Sequence, residues 1–248
     1  LNYLISQFSK EFLSIWNGVV MGGGVGLSLY GDHRLATDNT KFAMPETAIG
    51  FFPDVGGSYF LSNLPGNFGK YIALTSEVLT INELLYFGLA THYYELTEFE
   101  NIKDKFINYG KIFSKKYEIS NDSFIIKNIN LINDIFNGNI HEVIKNLKED
   151  GSEFSNKNLE ILLKKCPMSL AITTKLIENA KGKSLKECLE IEFQLSQKIV
   201  YRDDFDNGVN SVLVSKDHKP KWNPANIDQI NINDLDKYFE THTETLYL

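Results

Sequence analysis

The hydrophobic pattern changes character near residue 95. Before it, short apolar runs alternate with glycine and proline; after it, apolar residues recur every three or four positions among Lys, Glu and Asn. Leu4, Ile5, Phe8 and Phe12 share a helical spacing, so residues 1–12 read as the end of an amphipathic helix. Residues 14–21 form an apolar, partly β-branched run that predicts a buried strand. The run breaks into Gly22-Gly23-Gly24 and continues as a small, apolar helix over 25–30, with a further strand over 33–37. Strand, helix, strand in this spacing predicts a parallel βαβ unit. Pro45, Gly50 and Pro53 mark 42–53 as irregular, while 57–64, 68–75 and 81–87 suit helices and 90–94 a last short strand.

Beyond residue 95 glycine becomes sparse, and the spacing predicts helices over 99–113, 124–136, 140–147, 159–163, 170–180 and 185–201. Asp203-Asp204 is placed to cap a further helix over 205–214. The expected organisation is therefore two parts, 1–95 with strands and 96–248 all helical.

Composition narrows the class. The 43% apolar content of 248 residues supports a packed globule, and the net charge of −7 argues against a nucleic-acid partner. No apolar run is long enough to span a bilayer, so no membrane role is expected. Cys166 and Cys188 are too few for a disulfide framework and read as structural thiols of a reducing compartment. His33, His92, His141, His218 and His242 show no ligand spacing, and no metal is expected. Lys216, Lys219 and Lys221 with Trp222 suit either phosphate contact or a solvated basic turn.

Three places carry candidate chemistry. The N–H groups at a helix start after the triple glycine have no intrahelical partner, which suits an anion or an oxyanion formed during acyl transfer. A packing glycine at a strand–helix junction is the plain alternative. Glu46 follows the fixed backbone of Pro45 amid Phe42, Ala43, Met44, Ala48, Ile49 and Phe51. Desolvation there would raise its pKa toward the range of a general base or acid, although a surface turn is the commoner fate of a glutamate. Asp54, between Pro53 and Val55-Gly56-Gly57, is placed to cap the helix that starts near Gly57.

Residues 22–28, Met44-Pro45-Glu46-Thr47 and Phe52-Pro53-Asp54-Val55-Gly56-Gly57 together resemble the crotonase (enoyl-CoA hydratase/isomerase) superfamily and, within it, the 3-hydroxyisobutyryl-CoA hydrolases. The resemblance extends to Cys166-Pro167-Met168-Ser169-Leu170, Asp203-Asp204-Phe205, Gly208-Val209 and the segment from Lys216 to Pro224. It implies an α/β crotonase-like fold of repeated ββα units, with 1–95 as the C-terminal part of the core and 96–248 as a helical region. Family members carry several strands, one oxyanion-hole N–H and much of the coenzyme A pocket before the position of Leu1. The chain begins without Met, so the N-terminal part is expected to be missing.

Residue by residue, the resemblance makes Gly23 the oxyanion N–H donor, with Gly22 and Gly26 beside it in the substrate-binding turn. It makes Glu46 the most widely shared catalytic carboxylate, and Asp54 the second carboxylate of the hydrolase branch, where hydratases usually have glycine. Gly26 stands where hydratases place their other catalytic glutamate. Both departures favour acyl transfer to water over hydration of a double bond. Glu46 would attack the thioester or activate water, two routes that stay open, and Asp54 would hold the water or the substrate's 3-hydroxyl. The implied function is hydrolysis of 3-hydroxyisobutyryl-CoA in valine breakdown, in mitochondria. The partner is an acyl-CoA substrate, no separate cofactor is needed because coenzyme A is part of that substrate, and a homo-oligomer is one option. The rivals are an enoyl-CoA hydratase or isomerase and a non-catalytic component of a larger assembly.

Overall fold

The computed structural model describes residues 1–112, 116–120, 122–242 and 244–248. In chain order its strands are β1 (Leu13–Trp16), β2 (Val19–Met21), β3 (His33–Ala36), β4 (Lys41–Ala43) and β5 (His92–Tyr93). The helices of the first part are α1 (Asn2–Ser6), α2 (Gly23–Ser28), α3 (Gly57–Asn63), α4 (Phe68–Thr75), α5 (Ile81–Tyr86) and α6 (Phe99–Tyr109). They continue as α7 (Phe124–Lys127), α8 (Ile129–Ile135), α9 (Ile140–Asp150), α10 (Glu153–Lys164), α11 (Pro167–Ala180), α12 (Leu185–Ile199), α13 (Asp203–Val209) and α14 (Asp236–Phe239). None of the described helices is long and apolar enough to cross a membrane. Contacts group the chain into two compact units, Leu1–Ala43 with Val78–Asn128, and Met44–Glu77 with Ile129–Leu248. These units cut across the compositional boundary at residue 95: composition marks where the strands end, and contacts mark what packs on what.

All strands belong to the first unit and pair in parallel, β1-β3-β5 in one sheet and β2-β4 in another. The parallel pairing matches the expected βαβ unit, but the strand predicted over 14–21 is two strands. Gly18 divides them with a φ of 101°, a conformation closed to most L-residues. Each half then pairs with a different neighbour, β1 with β3 and β2 with β4. Leu35, Tyr94 and Ile102 form a small core between sheet and α6, with Leu13 and Phe99 against it. Trp16 packs on Phe42 with ring centroids 5.7 Å apart. The N-terminal helix stops at Ser6, short of the expected residue 12, and α6 ends at Tyr109 where Gly110 turns left-handed. Of the helix expected over 99–113, Phe113 lies outside the described residues.

The second unit is helical. In its centre runs α11, buried on nearly every side through Leu170, Ala171, Ile172, Thr173, Thr174, Leu176 and Ile177, as its lack of a polar face dictates. It packs against α3 and α4, and α12 packs against α3. A capping box of Ser184 and Glu187 starts α12 and fixes its rotation, so that Cys188, Glu192, Leu195 and Ile199 face inward. Asp203 and Asp204 occupy the first turn of α13 rather than its cap, which is Arg202, and the helix gives way to a π-helical turn at Asn210–Val214.

Candidate active site

Glu46 opens a short 3-10 turn, Glu46–Ile49, directly after Pro45. The turn is held from several sides. Phe51 N–H donates to the Glu46 carbonyl at 3.1 Å and Cys166 N–H to the Thr47 carbonyl at 3.1 Å. At Gly50, which closes the turn with φ 75°, a Cβ would lie 2.3 Å from the Asp204 carbonyl oxygen, and at Gly208 a Cβ would lie 2.3 Å from the Ile49 carbonyl carbon. Glycine at both positions therefore lets α13 press directly on the turn, backbone against backbone. Phe52 and Met44 are buried beside Glu46 in sequence, and Phe51 stacks on Phe52 at 4.4 Å.

In that setting the Glu46 side chain is only 6% exposed, and its Oε2 has no hydrogen-bond partner among the described residues. Burial is the main reason its pKa rises to about 8, and the negative charges of Asp54 and Glu192 add to the rise while Lys165 opposes it. Asp54 lies in a more open position, and burial lifts its pKa to about 6. The second carboxylate thus loses its proton well before the first, a separation that divides acid from base in paired-carboxylate sites.

Asp54 does not cap α3. The cap position is Gly56, and no side chain accepts a hydrogen bond there from the helix's own flank. The Asp54 backbone carbonyl accepts from Gly57 N–H at 2.7 Å, and the chain between them turns through two left-handed residues, Val55 at φ 56° and Gly56 at φ 85°. For a β-branched residue such as Val55 this conformation costs on the order of 1–3 kcal/mol.

Two further residues join this neighbourhood without a motif in the sequence to single them out. Glu192, on the inner face of α12, accepts from Gly56 N–H at 2.7 Å, Ser58 N–H at 2.9 Å and Ser58 Oγ at 2.5 Å. Burial pushes its pKa up to about 7 against those bonds. Lys165, at the end of α10, donates to Ser76 Oγ at 2.7 Å, and burial lowers its pKa to about 8 although Glu46 pulls the other way. A glutamate in an otherwise apolar helical stripe was the available signal for Glu192. Lys165 gave none, because a second lysine after Lys164 reads as a solvated helix end.

The glycine positions lie in the first unit. Gly22 takes φ 51° and ψ −122°, reserved for glycine, and its carbonyl accepts from Val25 N–H and Gly26 N–H at 2.9 and 3.3 Å. Gly23 is exposed at the start of α2, and its N–H has no partner among the described residues. Gly26 is buried, without a carboxylate of its own. Among the described residues no cluster of His, Cys, Asp or Glu suits a metal ion.

Residues 1–239 match the family model described as enoyl-CoA hydratase/isomerase. The chain belongs to the enoyl-CoA hydratase/isomerase family. Its crotonase-like α/β fold is shared with the crystal structure of a carnitinyl-CoA dehydratase from Mycobacterium thermoresistibile, at a TM-score of 0.89 and 29% identity over 99% of this chain and 72% of that one. Two curated relatives are named mitochondrial 3-hydroxyisobutyryl-CoA hydrolase. That of Xenopus laevis is 39% identical and that of Dictyostelium discoideum 42%, over 96% and 97% of this chain. The chain spans 66% of the length of each of these two relatives.

Proposed function

We propose that this member of the enoyl-CoA hydratase/isomerase family hydrolyses a short 3-hydroxyacyl-CoA thioester, 3-hydroxyisobutyryl-CoA foremost, to the free acid and coenzyme A. The observation that carries the reading is the Glu46 carboxyl: buried, with a free oxygen, and within electrostatic reach of a second carboxyl on Asp54. The names of the curated relatives support the same substrate and mitochondria as its compartment, and valine breakdown is the setting proposed with that substrate.

In the resting protein at neutral pH, Asp54 is ionised and Glu46 keeps its proton. Attack on the thioester carbonyl, by Glu46 itself or by water that Glu46 deprotonates, needs the ionised form of Glu46, so turnover rises with pH toward about 8. Asp54 holds the attacking water or the 3-hydroxyl. When the tetrahedral intermediate collapses, its C–S bond breaks and the coenzyme A thiolate leaves; attack by water gives the free acid directly, whereas attack by Glu46 gives an acyl–Glu46 anhydride that a water then cleaves to the acid and the Glu46 carboxylate. The Gly23 N–H, without a partner among the described residues, suits the oxyanion donor that the family resemblance assigns to it.

Hydration of an enoyl-CoA is disfavoured because Gly26 supplies no second glutamate. The test is a panel of short acyl-CoA thioesters given to the purified full-length protein, with thiol release and enoyl absorbance read in parallel. Release of free thiol from 3-hydroxyacyl-CoA, with the enoyl signal unchanged, is expected. Hydration without thiol release would overturn the reading in favour of a hydratase.

A further inference from the structure

Glu192 is 3% exposed, and no Lys or Arg forms an ion pair with it among the described residues. Of the other buried side-chain carboxylates among the described residues, Asp204 is paired with Arg202, Glu83 closes the capping box of α5 with Thr80, and Glu46 is the candidate reactive group. Glu192 spends both its oxygens on the first residues of α3, taking the N–H groups of Gly56 and Ser58 and the Ser58 hydroxyl. The intervening Gly57 N–H goes to the Asp54 carbonyl. All three N–H groups at this helix start are thereby assigned, and none goes to the Asp54 side chain, although Asp at this spacing is an ordinary helix cap. The turn that these bonds fix is the strained one, Val55-Gly56, immediately after Asp54.

We propose that Glu192 is a positioning residue that takes over the capping of α3 from α12, holds the Val55-Gly56 turn, and so leaves the Asp54 carboxyl free to serve the reaction at Glu46. The inference rests on the thioesterase reading for its kinetic consequence alone. Its titratable surroundings are Asp54 on the turn, Glu46 on the adjoining 3-10 segment, Cys188 one helical turn earlier on α12, and Lys165 at the end of α10, which faces Glu46. If Glu192 loses its carboxylate, its amide replacement sets a donor against one of the α3 N–H groups, and Asp54 becomes the nearest acceptor for the exposed helix start. A carboxylate that accepts such bonds titrates lower.

The experiment compares wild type, Glu192→Gln, Asp54→Asn and the double variant of the full-length protein. Asp54 is followed by carboxyl ¹³C NMR titration, and kcat and KM are measured with the thioester. In Glu192→Gln the Asp54 titration should move to lower pH. Its kcat should fall by up to about 100-fold, the scale of a misplaced catalytic group, with KM within about 2-fold. In the Asp54→Asn background, the same change should cost little more, because both act through one group. An unmoved Asp54 titration, or losses that multiply in the double variant, would overturn the proposal. Ser58→Ala removes only one of the three donors and keeps the test available if Glu192→Gln does not fold; it should shift Asp54 in the same direction by less, and no shift would count against the proposal. A wild-type protein that releases no thiol from any thioester would refute the thioesterase reading, while the Asp54 titration would still decide the role of Glu192.

Discussion

Asp204 and Glu46 are both buried acids of the second unit, 1% and 6% exposed, and their surroundings treat them in opposite ways. Around Asp204 every need of a carboxylate is met. Arg202 donates to its Oδ2 through Nη2 at 2.6 Å and Nε at 3.2 Å, and Asn223 N–H reaches Oδ1 at 2.6 Å. Glu46 sits on the turn that α13 presses against, yet among the described residues its Oε2 has no partner and no cation bonds to it, and its pKa is pushed up to about 8. Burial alone does not tell a structural acid from a reactive one; the number of partners does. The same unit satisfies Asp204 fully and leaves one oxygen of Glu46 without a partner among the described residues, the arrangement the proposed thioesterase reading calls for.

The largest effect expected from this contrast falls on stability. Arg202→Met leaves Asp204 buried without its cation and should destabilise the protein by about 3–5 kcal/mol in urea unfolding. A loss below about 1 kcal/mol would mean that the pair is no more structural than Glu46.

The opposite sign is expected at Glu46. Its carboxyl keeps a proton in the folded protein up to about pH 8, whereas the unfolded chain releases it near the ordinary value of 4.5. Between those values folding takes up a proton, so stability falls as pH rises. Glu46→Gln removes that slope and should be more stable than wild type by about 1–3 kcal/mol near pH 7.5. Unfolding curves at pH 5 and 7.5 check it; equal pH dependence in the two proteins would show Glu46 to be solvated like any surface acid.

A smaller structural effect should accompany Asp54→Asn. Since Asp54 caps nothing and burial lifts its pKa to about 6, the variant should be no less stable than wild type near pH 7.5, by the same linkage as at Glu46 but over a narrower pH span, while turnover falls by about 100-fold. Full turnover in this variant would leave Glu46 to act without its neighbour.

Much of this contrast was legible in the residues, though not all of it. Helix α4 has the bounds the spacing predicted, and α3 falls one residue short of them, because Pro65-Gly66 separates two apolar runs with unambiguous stops. The Glu46 turn announced itself through an acid set among apolar neighbours behind a proline. The strand break at Gly18 was hidden because a single glycine in a β-branched run reads as a minor weakness, and only the separate pairing of its two halves reveals a corner. The spacing of Asp54 by itself fits a helix cap. The acceptor that does the work, Glu192, lies 136 residues from Gly56 in the chain, and no local rule links them. Asp203-Asp204 fits a cap for the same local reason, whereas Asp204 turns inward to Arg202 and Asn223.

The central claim, that the unsatisfied Glu46 carboxyl performs thioester hydrolysis, is met most directly by thiol release from 3-hydroxyisobutyryl-CoA in wild type and Glu46→Gln between about pH 6 and 9. Wild-type kcat/KM should rise about tenfold per pH unit and level off near pH 8, while the Gln variant, folded and no less stable, should be slower by about 100-fold or more where wild type levels off. A Gln variant that turns over like wild type, or a wild-type rate that falls as pH rises from 6 to 8, would contradict the account.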